Sequence, residues 1–454
     1  MKVLNPADGS LISELPEDDH RTVTQKYAAA RSAQAGWARR PLAERLDAIR
    51  RFKGEVARRR DALAAILTHE MGKPIRQSRN ELDALAERLD FFLATTESAL
   101  APEEVHRQGS LAERITHDPL GVVVNVSAWN YPYFVGANVF VPALLAGNVV
   151  LYKPSEHSSL TGLAIGEMMQ ASGVAVDVFT VVLGAGAVGQ ALIAQPVDGV
   201  FFTGSYATGA KIAAACAPRM VKLQLELGGK DPVYVCDDAD VAKAAESLAD
   251  GAMYNAGQSC CAVERLYVHE RIHDRFLEAF VETVRGYKFG DPMDEQTYLG
   301  PLARAAQIPV LERQVADAVA KGARILIGGK RMERPGNWFE ATVLANVAHT
   351  MELMREETFG PLIGIQKVSG DEEALRLMND SEYGLTAGVY TPDEARARAI
   401  LAQVRSGSAY WNCCDRVSPR LPWSGVGHSG VGVTLSTYGI QAFTRPKAWH
   451  LKSA

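Results

Sequence analysis

From about residue 121 the chain alternates short, almost wholly apolar β-rich runs with helical stretches, and this alternation limits its fold more than any other feature. The runs GVVVNVS, NVVLYK, VFTVVL, VDGVFFT and KLQLEL are separated by helical stretches near 134–146, 158–172, 187–195 and 205–217. Strands that are apolar on both faces need cover on both faces, so the pattern predicts a parallel sheet between helix layers. A second series follows Gly228 and Gly229: VYVC, RLYVHE, ARILIG, ATVLANV, LIGIQKV and AGVYT, with helices near 238–255, 271–286, 303–321 and 393–404. Two α/β domains in series is the simplest reading, and 454 residues are too many for one ordinary core. Before them, Leu46, Ile49, Phe52, Val56, Leu63 and Ile66 recur at helical spacings with Arg and Glu between them. The polar stretch 104–120 turns at Gly109-Ser110 and reads as a protruding hairpin, and IQAFTRPKAWHLK near the C-terminus reads as a strand.

Bulk properties exclude several classes. Net charge is −5 with no basic stripe for a phosphate backbone, so nucleic acid is not an expected partner. No apolar run reaches the roughly 18 residues of a membrane span, and the acidic N-terminus lacks a signal-peptide core. Six cysteines without a CxxC pair point to free thiols in a reducing cytoplasm. The histidines are scattered, so no metal site is expected.

Two segments carry chemistry. Residues 254–265 read YNAGQSCCAVER, and Glu226 lies 34 positions before Cys260 in ELGGKDP. A thiol can attack a carbonyl carbon, and a separate carboxylate can activate water against the thioester that results. An unperturbed thiol is only roughly 3% thiolate at pH 7, so Cys260 is expected to sit near a helix start whose N–H groups lower its pKa. Cys261, one residue on, should face elsewhere and pack. Glu226, at the end of an apolar strand, should have a raised pKa from partial burial. The alternatives are a buried inert cysteine and a carboxylate paired with Lys230. A literal GxGxxG stands at Gly184–Gly189, but no acidic residue ends the next strand, so it is discounted as a dinucleotide fingerprint.

Together these segments resemble the aldehyde dehydrogenase superfamily, and the likeness runs from NPADG at 5–9 to the C-terminus. The resemblance implies a nucleophilic Cys260, a general base at Glu226 and an oxyanion donor at Asn130 in SAWNYP. It implies two Rossmann-like parallel-sheet domains: an NAD-binding domain over 1–103 and 121–226, and a catalytic domain over 227–428. It also implies a small β oligomerisation element from 104–120 and 440–454, and hence a homodimer or homotetramer. Lys153 and Glu156 in YKPSE would hold the adenosine ribose, and Gly204, Ser205 and Gly209 in FTGSYATG the pyrophosphate. Trp129, Glu357 and Phe359 would border the nicotinamide end. A carboxylate at 156 would repel a 2′-phosphate, so NAD is expected over NADP. Tyr131, Phe134, Tyr254 and Trp423 would line the aldehyde tunnel. Arg416 or Arg420 would clamp a remote carboxylate, in keeping with a likeness to bacterial succinate-semialdehyde-type members.

The chain also departs from that pattern. Val139 stands nine residues after Asn130 where many members carry lysine, and Thr434 in SGVGVT replaces a glutamate. Joint loss of both charges is reasonable, because one buried unpaired charge is costly. His428 replaces a further lysine. Two other functions stay open: a CoA-acylating dehydrogenase, which has no need of a water-activating Glu226, and a silent protein that retains the fold for binding.

Overall fold

The computed structural model describes residues 1–453. A hairpin of strands Lys2–Leu4 and Leu11–Glu14 opens the chain, an element the sequence pattern did not predict. Four helices follow: His20–Ala38, Leu42–Arg58, Arg60–Met71 and Ile75–Ala99. The first is started by Asp19, which accepts the Thr22 N–H while the Thr22 side chain accepts the Asp19 N–H. The third is stopped by Gly72 at φ +80, where a Cβ would also lie 2.6 Å from Pro301.

The first large sheet has six strands in the order Gly430–Val431, Lys222–Glu226, Gly199–Thr203, Val122–Val126, Val149–Lys153, Phe179–Val181. All neighbours are parallel except Gly430–Val431, which adds antiparallel to the edge. Val122, Val123, Val124, Val149 and Val150 have no exposed surface, as strands covered on both faces require. The second sheet runs Arg324–Ile327, Thr342–Ala345, Leu362–Val368, Val263–His269, Asp231–Val235, Thr386–Tyr390, Ser408–Trp411, with only Arg324–Ile327 antiparallel. Helix Asp371–Asn379 and strand Ser408–Trp411 were not expected: the one is short and charge-rich, the other four residues long and half exposed. Strands Glu103–Gln108, Leu111–Pro119 and Thr444–Lys452 form a separate antiparallel sheet. The fold is thus α/β, with two Rossmann-like parallel-sheet bodies and a small β element.

Each large sheet has its own apolar core. Trp423, Leu435, Ile440 and Phe443 belong to the core of the first sheet, so the chain returns there after building the second. In the first sheet the chain moves outward from Val122–Val126 in one direction, then restarts on its other side with Gly199–Thr203 and Lys222–Glu226. That reversal is a topological switch point, and the crevice at the carboxyl ends of those strands is where such sheets bind ligands.

Candidate active site

The residues singled out above lie at those carboxyl ends. Asn130 follows strand Val122–Val126, Lys153 ends its strand, Ser205 follows Thr203, and Glu226 ends the next strand. The turn Gln258–Ala262, which carries Cys260, comes from the second sheet's side, and two glycines let the segments touch. A Cβ on Gly229 would lie 2.3 Å from the Cys260 carbonyl oxygen, and one on Gly257 (φ +69) 2.2 Å from that of Gly360. Only glycine permits either approach.

Cys260 Sγ donates to Glu226 Oε1 at 3.5 Å, across 34 residues of chain. Both line a cavity of about 510 Å³ whose wall also includes Tyr131, Phe134, Tyr254, Trp423, Cys261 and Asp415. Trp423 is more than wall: its indole Nε1 donates to Glu226 Oε1 at 3.0 Å. Burial pushes the Glu226 carboxyl above its usual pKa, against bonds from Trp423, Cys260 and Thr203 that pull it down. Pairing with Lys230 does not occur, because the Lys230 ammonium is committed to Glu264 and Thr358.

The expected lowering of the Cys260 pKa is overturned. No helix begins at Cys260, and the Cys261 hydrogen bond, burial and the Glu226 charge push the thiol well above its ordinary value. The thiol therefore rests neutral and donates to Glu226. Cys261 is not mere packing either, since it lines the cavity and donates to Asp415 Oδ1 at 3.0 Å.

Asn130 is buried and precedes the wall residue Tyr131, but it is not itself one of the residues that line the cavity. Its Nδ2 donates to the Gln258 carbonyl at 3.2 Å, and a side-chain amide carries a second N–H donor. Its own carbonyl accepts Lys73 Nζ at 2.6 Å. Lys73 is wholly buried, is paired with Glu81 and lies 3.8 Å from the centre of the Tyr131 ring. Glu81 Oε1 in turn accepts the Tyr133 N–H at 2.8 Å. Tyr131 stacks on Phe134 at 4.9 Å, and Arg88 lies over the far ring at 4.0 Å. The Tyr254 hydroxyl accepts Asn80 Nδ2 at 3.1 Å.

Lys73, Glu81, Arg88 and Asp415 were not foreseen. In helix Ile75–Ala99, Glu81 and Arg88 stand seven apart among the buried Leu82, Leu85 and Leu89. Charges embedded in an apolar stripe were the available signal. Arg416 reaches the cavity wall, whereas Arg420 is exposed and is not part of it. Val139 and Thr434, the two positions without charge, both line the cavity.

The candidate cofactor residues form a second group. No side chain caps helix Tyr206–Cys216, and Ser205 Oγ donates to Thr208 Oγ1 at 3.1 Å instead of to the helix start. Lys153 is buried, with the Pro154 carbonyl as its acceptor at 3.2 Å. Burial opposes ionisation of Glu156, but its own backbone N–H, Lys153 and His157 hold its pKa below the usual value. An uncapped helix start, a buried lysine and a carboxylate of lowered pKa are groups that suit a phosphate- and hydroxyl-bearing ligand. Gly204 and Gly209 answer first to internal packing: a Cβ on either would lie within 2.6 Å of the Phe202 ring or the Leu227 side chain. Phe359, at φ +46, meets Trp129 edge to face at 5.4 Å. Glu357 Oε1 accepts the Gly229 N–H at 3.0 Å, and its carboxyl is pushed up to about 8, mainly by burial.

An α/β protein with a thiol and a carboxylate in one cavity, beside a switch-point crevice, has the architecture of a two-domain dehydrogenase. The chain belongs to the aldehyde dehydrogenase family, whose sequence model matches residues 1–449. It is 33% identical over 457 residues to a chloroplastic betaine aldehyde dehydrogenase of Beta vulgaris, covering 98% of this chain and 91% of that one. To a putative succinate-semialdehyde dehydrogenase [NADP(+)] 2 of Mycobacterium ulcerans (strain Agy99) it is 35% identical over 442 residues, covering 96% and 85%. A crystal structure of PnpE in complex with nicotinamide adenine dinucleotide matches with a TM-score of 0.96 at 33% identity, covering 100% of this chain and 94% of that one. The family acts on aldehydes and uses NAD(P), and this chain is an enzyme of that class. No helix among the described residues is long and apolar enough to cross a membrane.

Proposed function

We propose that the protein oxidises an aldehyde to a carboxylic acid in the cytoplasm, as a homodimer or homotetramer, with NAD as hydride acceptor. The observation that carries this reading is the Cys260 thiol, 3.5 Å from the Glu226 carboxylate in one cavity. The Cys260 sulfur bonds to the carbonyl carbon as its proton leaves to solvent. The oxygen becomes an alkoxide, stabilised by the free N–H of Asn130 and the backbone N–H of Cys260. When bound near Trp129 and Phe359, the dinucleotide supplies the hydride acceptor that leaves a thioester on Cys260. Glu226 then takes a proton from water, the water oxygen bonds to the acyl carbon, and the C–S bond breaks to release the acid as that proton passes to the Cys260 sulfur.

Glu226→Gln tests the sequence of steps. One NADH per site should form rapidly while steady turnover falls about 10²–10⁴-fold. Unchanged steady turnover removes Glu226 from the water step, and a rate rescued by CoA moves the enzyme to the acylating class. The ionised Glu156 supports NAD, and a kcat/KM tenfold in favour of NADP would reverse that preference.

The cavity supports a semialdehyde with a remote carboxylate. Arg88 is 3% exposed and lines the wall, its guanidinium bonded only to the Ala84 and Val417 carbonyls, with no carboxylate partner. One observation favours a cationic aldehyde instead: Asp415, on the cavity wall, takes both Cys261 and Ser259 on Oδ1, and no donor among the described residues is bonded to Oδ2. Succinate semialdehyde, butanal and 4-aminobutanal compared by kcat/KM separate the two, and Arg88→Gln should lower only the first, by tenfold or more.

A further inference from the structure

Among the described residues no cation is paired with Glu226. None of the groups acting on its carboxyl is a lysine, arginine or histidine; the donors are Trp423, Cys260 and Thr203. Trp423 and Cys260 both donate to the same oxygen, Oε1, and the Trp423 bond is the shorter, at 3.0 Å against 3.5 Å. Of these, only the indole N–H is a permanent donor, because Cys260 loses its proton when it reacts.

The arrangement is built in by the backbone. The segment after Pro422 crosses from the second sheet to the free edge of the first, where Gly430 pairs with Glu226 and Val431 with Leu225. The Leu227 N–H donates to the Ser429 carbonyl at 3.1 Å. Gly430 (φ +122) brings the strap so close that a Cβ there would lie 2.0 Å from the Leu225 carbonyl oxygen. Trp423 and Thr434 exchange backbone hydrogen bonds at 2.8 and 2.9 Å, which closes the strap into a loop with the indole inward. Trp423 is 6% exposed. The strap therefore fixes the strand end carrying the base and the donor to that base in one unit.

We propose that Trp423 is a positioning residue for the water step, its indole N–H holding Glu226 toward Cys260 and fixing the pH above which Glu226 acts as a base. This rests on the reading of Glu226 as the water-activating base. The other charged groups are placed differently: Glu81, Glu87, Arg88, Asp250, Asp415 and Arg416 line the same cavity without bonding to Glu226, Cys261 is bonded to Asp415, and Glu357 lies beyond Gly228 on the Gly229 N–H. None of them shares the Glu226 oxygen that Trp423 holds.

A donor to a carboxylate favours the charged form, so its removal raises the pKa. A hydrogen bond to a charged group is strong enough to move it by about one to two pH units. Trp423→Phe removes the N–H and part of the ring, whereas benzothienylalanine at 423 keeps the ring system and removes only the N–H. In both, the NADH burst should persist at one per site. Steady kcat at pH 7 should fall about tenfold, and its acidic limb should move up by about one to two units. The benzothienyl enzyme should keep the aldehyde KM within threefold. An unmoved acidic limb in the benzothienyl enzyme overturns the proposal, as does loss of the burst together with steady turnover. If Glu226→Gln itself retains full steady turnover, the underlying assignment of the base is what fails, whatever Trp423 does.

Discussion

Two buried ion pairs flank the site, one from helix Ile75–Ala99 and the turn before it and one from the second sheet, and they clamp different things. Lys73 and Glu81, both wholly buried, hold the Asn130 carbonyl and the Tyr133 N–H, so they fix the segment that carries the oxyanion donor and the tunnel wall. Lys230 and Glu264, equally buried, hold the Thr358 hydroxyl and the Thr358 and Phe359 N–H groups, so they fix the segment beside the candidate nicotinamide end. The first pair spends its spare donor and acceptor on backbone, the second its donor on the Thr358 hydroxyl and its acceptors on backbone N–H groups. A buried pair adds little net stability over apolar packing, but breaking one partner leaves an uncompensated charge. The difference between the two clamps is therefore functional: one should govern acylation and the other cofactor affinity.

The largest effect is expected from Lys73→Met. It strands Glu81 and should cost up to about 5 kcal/mol of stability by chemical denaturation, with a slower burst and little change in cofactor KM. Glu264→Gln should cost less, about 3 kcal/mol, because glutamine still accepts from Thr358 and Phe359. Here the cofactor KM should rise while the burst rate at saturating cofactor holds. Exchange of these two kinetic signatures would break the comparison.

A third buried carboxylate sharpens it. Glu70 takes the Leu160 and Thr161 N–H groups at 2.6 and 2.9 Å at the start of helix Ser159–Ala171, but it has no cation, and burial pushes its carboxyl up to about 7. Its folded pKa lies above the ordinary 4.5. The stability it contributes is therefore complete below about pH 4.5 and is lost as pH rises through about 7. Between pH 5 and 7.5 the wild type should lose about 2 kcal/mol relative to Glu70→Gln. Parallel stability curves would show that Glu70 ionises in the fold as it does in water.

What could be read from the chain was whatever local pattern encodes. Val122–Val126 and Val149–Lys153 declare buried parallel strands by composition, and Cys260 and Glu226 declare themselves by motif. The opening hairpin escaped because its Leu11–Glu14 strand is largely exposed and lacks an apolar face. The strap at Gly430–Val431 escaped because two residues have no period. Lys73 and Glu81 escaped for a different reason: a lysine after Gly72 and a glutamate on a helix look like surface charges until the fold buries them against Asn130. The Cys260 pKa was misjudged because its direction depends on Glu226 and Cys261 in space, and the sequence offers only a neighbouring turn. Long-range electrostatics is the part that sequence pattern does not carry.

The most direct test is the covalent state of Glu226→Gln after mixing with a saturating aldehyde and NAD. Quenched and digested, the protein should carry the acyl mass on the peptide containing Cys260, in stoichiometric amount and sensitive to hydroxylamine. Acyl mass on another residue, or NADH formed with no acylated Cys260 peptide at any time, would contradict the account.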